Sequence, residues 1–103
     1  MAVFWISFRI DSGGKGDERQ YALTKAIHAH KLRYWDRTPS FILFESGHTF
    51  DFLIHAFSGK IDPARDLFLM GEIGTSQVRL CGVNTDTDIL KMLPHCLGPA
   101  ARA

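Results

Sequence analysis

The sequence predicts an α+β domain with two helices packed on one side of a mainly antiparallel sheet. Two observations carry that reading. Strand-length apolar runs alternate with segments of helical spacing in the order βαββαβ, followed by one more strand and a short helix. Gly-, Pro- and Asp-rich punctuation falls at each change of period. At 103 residues the chain makes one domain, with 1–95 expected to fold and 96–103 expected to form a flexible tail.

The elements follow in order. Val3–Ile10 (VFWISFRI) is rich in β-branched and aromatic residues and reads as a strand, broken by DSGGKG. Asp17 with Gln20 three residues later resembles a capping box and is expected to start a helix carrying Leu23, Ala26, Ile27 and His30 on one face. Leu32–Trp35 and Phe41–Glu45 are strand-like around the turn residues DRTP, which predicts a hairpin. Thr49 is placed to cap a second helix in which Phe50, Leu53, Ile54 and Phe57 form an apolar stripe, with Gly59 at its end. Asp66–Ile73 and Gln77–Val83 are the remaining strands, and Thr87 to Leu93 a short helix stopped by Pro94. This order is the split βαβ, or ferredoxin-like, arrangement with an additional C-terminal strand and helix.

Composition narrows the function classes. Formal net charge is +1, without the basic excess of a dedicated nucleic-acid binder. Two cysteines, Cys81 and Cys96, are too few for a disulfide framework or a zinc site, so a reducing compartment is expected. No basic leader precedes the first apolar run, and no run reaches the ~20 apolar residues of a membrane span. The expectation is a soluble, cytoplasmic protein with no membrane partner.

Side-chain alternation places Phe4, Ile6, Phe8 and Ile10 under the helices and Val3, Trp5, Ser7, Arg9 and Asp11 on the helix-free face. In Phe41–Phe44 and Leu67–Met70 both faces are apolar. A sheet with one wet face normally alternates apolar with polar, so both faces are expected to be covered. Two helices cover one. A second copy of the chain related by a two-fold axis is expected to cover the other, the competing arrangement being a C-terminal segment folded over it. Should Arg9 approach its two-fold mate, the like charges cost about 3 kcal/mol at ~6 Å and an effective dielectric near 20. Asp11, Glu45 or a bound anion would have to offset that.

The stretch from VFWISFRI to QVRLCGV, with the hairpin YWDRTPSFILFES, resembles the small ferredoxin-like proteins grouped with the second CRISPR-associated protein, the virulence-associated D toxins and the SinR-type proteins. The resemblance implies a homodimer, a last strand that extends or exchanges into the partner's sheet, and in the CRISPR-associated branch an aspartate late in the first strand that holds a divalent metal. Here Arg9 occupies that position, and a guanidinium repels Mg²⁺ rather than ligating it. Asp11 has the same parity two residues on, about 6–7 Å away at strand rise.

The expected function is therefore a homodimeric, non-catalytic assembly or binding module contacting nucleic acid or a partner protein. Its interface residues are Trp5, Ser7, Arg9, Asp11 and Glu45. The alternative is a metal-dependent endonuclease with Asp11 at the dimer cleft, and Mg²⁺ is the expected cofactor only there. No catalytic or metal-binding residue is otherwise assigned. SGGKG lacks phosphate-loop spacing and reads as a flexible connection. His48, Asp51 and His55 are read as solvent-facing polar residues rather than a metal cluster.

Overall fold

A computed structural model describes residues 1–97. The chain forms β1 (Ala2–Arg9), α1 (Gly16–His30), β2 (Tyr34–Trp35), β3 (Phe41–Ser46), α2 (Phe50–Ser58), β4 (Leu67–Glu72), β5 (Val78–Gly82) and α3 (Asp88–Met92). The five strands make one sheet in the order β2-β3-β1-β4-β5, and every neighbouring pair is antiparallel. The outcome is a mixed α+β domain built on an antiparallel sheet.

Apolar alternation sets the two faces. Phe4 and Ile6 of β1, Ile42 and Phe44 of β3, and Phe68 and Met70 of β4 are all at most 4% exposed. They form one core with Leu23 and Ile27 of α1 and with Phe50, Leu53, Ile54 and Phe57 of α2. The predicted α2 stripe is buried at all four positions, and Thr49 caps the helix by accepting from the Phe52 N–H at 3.2 Å. The hairpin forms, but its first arm is shorter than expected, with two residues in β2.

The start of α1 differs from the expected capping box. The helix begins at Gly16, one residue before Asp17, behind Lys15 in a left-handed conformation, and no side chain caps it. Asp17 and Glu18 instead lie in the first turn, where negative charge suits the helix dipole. Gly16 is required because a Cβ there would stand 2.1 Å from the Asp11 carbonyl oxygen.

At the far end of the chain, α3 runs from Asp88 to Met92 as expected. Packing then continues to Cys96, which is 2% exposed. The Cys96 carbonyl accepts from the Leu80 N–H at 2.6 Å, and Leu97 forms a single parallel bridge to Leu80. The rest of the expected tail lies outside the described residues. β5 pairs with β4 of its own chain. No helix among the described residues is long and apolar enough to cross a membrane.

Candidate functional site

The face of the sheet opposite α1 and α2 is built by the odd-numbered residues of β1. Register fixes its rows: Trp5 lies opposite Leu43 on one side and Gly71 on the other, with Trp35 beyond Leu43 and Val78 beyond Gly71. Ser7 lies opposite Phe41 and Leu69, and Arg9 opposite Leu67. Val3, Trp5, Phe41, Leu43, Leu67 and Leu69 are each half-buried in the single chain, and Trp35 is 45% exposed. Nothing polar interrupts this strip except Ser7.

Trp5 lies flat on the sheet because its β4 neighbour has no side chain. A Cβ on Gly71 would stand 2.6 Å from three atoms of the indole. The Phe41 ring is nearly parallel to Trp5, at 14° and 6.5 Å between centroids, and Trp35 meets Phe41 edge-on at 6.4 Å. Beside this aromatic lane a cavity of about 280 Å³ opens between Val3, Arg33, Trp35, Leu43 and Glu45. Over β5 the same face is closed: Leu80 is 1% exposed where the segment through Cys96 runs beside it. Among the described residues the C-terminal segment, through Leu97, thus reaches one margin of the face, while the residues of the strip over β3, β1 and β4 are half-buried.

The charged residues expected on this face have different fates. Glu45 sits opposite Val3 and accepts two hydrogen bonds from Arg33, at 3.0 and 3.2 Å. The Arg33 hydrogen bond, opposed by partial burial and reinforced by the guanidinium charge, holds the Glu45 carboxyl below its usual range. Arg9 is exposed and forms no ion pair among the described residues. Arg9 and Asp11 are not brought together as a pair. Asp11 lies past the end of β1, where its Oδ2 accepts from the Gly13 N–H at 3.1 Å and from Arg65 at 3.3 Å.

That turn contains the one polar centre that sequence reasoning missed. Asp66 is fully buried, and its carboxylate accepts from the amides of Asp11 (2.9 Å) and Asp62 (2.8 Å) and from Arg19 Nε (2.8 Å). Arg19 also donates to the carbonyls of Asp11, Gly13 and Gly14. The glycine-rich loop is therefore wrapped around a guanidinium, with carbonyls rather than amides pointing inward. It is neither a loose connection nor an anion cradle. Burial alone would raise the Asp66 carboxyl, but the Arg19 hydrogen bond, the Asp62 and Asp11 amides and the Arg19 charge hold it below its usual value. Every buried side-chain nitrogen and oxygen among the described residues has a partner.

The remaining candidates lie on the helical side. His48 stacks on Phe52 at 4.3 Å, and His30 meets both edge-on at 4.8 and 5.3 Å. His48 is thus part of an aromatic cluster, and no group of three His, Cys, Asp or Glu among the described residues is placed to hold a metal. Burial pushes the Cys81 thiol up to about 12, against the opposing charge of Arg79, so it stays protonated at neutral pH and is no nucleophile. Comparison of the chain with protein-family models, curated proteins and solved structures found no match.

Proposed function

We propose that this protein is a homodimeric, non-catalytic assembly or binding module of ferredoxin-like fold, and that the face opposite α1 and α2 joins the two copies. The observation that carries the reading is the half-open strip of Val3, Trp5, Phe41, Leu43, Leu67 and Leu69 on a domain whose helices lie on the other side. Contiguous exposed apolar surface of this kind is uncommon on a monomer. Aromatic residues surrounded by aliphatics, with few charges at the centre, are the composition of an interface core.

The ferredoxin-like reading is supported by the strand order, in which β3 lies between β1 and β2, and β1 between β3 and β4. Those are two interleaved split βαβ units. The resemblance to the SinR-type and CRISPR-adaptation proteins belongs to the same proposal. So does the wider role of the dimer, contact with nucleic acid or a partner protein.

The metal-dependent nuclease alternative has less behind it. One oxygen of Asp11 already accepts from Gly13 and Arg65, and Arg9 puts positive charge on the strand that would present the ion. Leu69→Asp tests the dimer reading, since it buries two unpaired carboxylates in the interface and leaves the other side of β4 untouched. The substituted protein is expected to sediment as a monomer with an unchanged circular-dichroism spectrum. An unchanged association state would contradict the reading.

A further inference from the structure

Arg9 and Glu45 are the single guanidinium and the single carboxylate among the described strand residues of the open face. They stand at opposite ends of it. Glu45 is level with Val3, and Val3 and Arg9 are six positions apart on β1, about 20 Å at strand rise. Within one chain they cannot meet. Glu45 keeps acceptor capacity, because Arg33 uses each carboxylate oxygen once and an ionised carboxylate has roughly four acceptor sites. Arg33 itself projects outward, its side chain 84% exposed against 20% for Glu45.

We propose, resting on the homodimer reading above, that Arg9 of each copy pairs with Glu45 of the other, so that two symmetric ion pairs close the ends of the apolar strip and fix the relative direction of the two sheets. Two simple two-fold arrangements place one open face on another with β1 over β1. An axis along the strand direction stacks Arg9 on its own mate and puts each Glu45 over β4 of the other copy, two strands from the second Glu45 and at the opposite end from either Arg9. An axis across the strands reverses one copy, so that position 9 of one lies over position 3 of the other, one strand away from Glu45. Strand spacing makes that lateral offset about 4.8 Å, and facing sheets stand about 10 Å apart, a gap that extended arginine and glutamate side chains span.

The same reversal centres on position 6 and so sets Trp5 of each copy over Ser7 of the other, the smallest side chain on the β1 face over the largest. Like charges facing each other at an interface select against the wrong orientation. Charge complementarity therefore picks the reversed packing. It also gives Arg9, the one strand cation of this face, a carboxylate.

A charge swap tests this. Arg9→Glu and Glu45→Arg are each expected to weaken self-association by roughly 10- to 100-fold, as juxtaposed like charges do. An equimolar mixture of the two variants is expected to form heterodimer in preference to either homodimer, because both pairs are then Glu–Arg. Native mass spectrometry reads the proportions directly. A wild-type dimer whose two variants associate as tightly as the parent, and mix statistically at 1:2:1, would overturn the pairing and leave the dimer standing. A wild-type monomer would overturn the dimer reading itself. Circular dichroism checks folding. Should Glu45→Arg unfold, a double-mutant cycle of Arg9→Gln and Glu45→Gln replaces it: non-additive losses in association support the pairing, and additive losses contradict it.

Discussion

At the scale of single residues, the strongest polar feature is also the one least legible in the sequence. Asp66 looked like the first residue of a strand. Its partners Arg19 and Asp11 lie 47 and 55 positions away, and only the closure of the sheet brings them together. A local pattern has no access to such a pair. An acid directly before an apolar strand, in a chain with an arginine inside an apolar helix face, was the faint signal available. Asp66 accepts from the Asp11 and Asp62 amides and from both Nε and Nη2 of Arg19, so Asp66→Asn turns an amide NH₂ toward other donors and is expected to cost about 3 kcal/mol, read as a fall in the urea midpoint. The pH dependence has a definite sign. The folded-state pKa of Asp66 is depressed, so its contribution is fully present above the unfolded value near 3.9 and is lost as pH falls through the folded value. Urea melts between pH 7 and pH 2 are expected to show a steeper acid limb for the wild type than for Asp66→Asn. Parallel curves would contradict the assignment.

Among the elements, legibility tracked the strength of periodicity. α2 was readable to the residue because a cap, a four-residue stripe and a terminal glycine agree. β1 was readable because strict alternation separates Phe4, Ile6 and Phe8 from Trp5, Ser7 and Arg9. The start of α1 was misread because Asp17 and Gln20 have capping chemistry, whereas the turn around Arg19 decides where the helix begins. β2 came out short because the sequence shows strand-like residues at 32–35 but not that pairing reaches ladder geometry only at Tyr34 and Trp35. Thr49→Ala is expected to lower stability by about 1 kcal/mol through loss of the Phe52 N–H acceptor, visible as a drop of several degrees in Tm. No change in Tm would mean that another group satisfies that amide.

For the molecule as a whole, one fact organises the rest: a sheet with two helices on one side has a second side to account for. Its apolar character was legible from alternation, and the half-burial of Trp5, Phe41 and Leu69 agrees with it. What the sequence did not reveal is that the segment through Leu97 runs along the β5 margin, or that Gly71 lets the Trp5 indole lie flat. The fate of Arg9 was also hidden, since its expected partners Asp11 and Glu45 are engaged with Arg65 and Arg33 within the chain. With a Cα radius of gyration of 12.8 Å the single chain already has the compactness of an ordinary domain of its length. The core is therefore complete within the single chain, and the proposed second copy would cover the far face alone.

Sedimentation equilibrium on the wild-type protein at micromolar concentration puts that claim to its plainest trial. The expected result is a particle of twice the 11.6 kDa chain mass. A single species at the chain mass, unchanged as concentration rises, would contradict it.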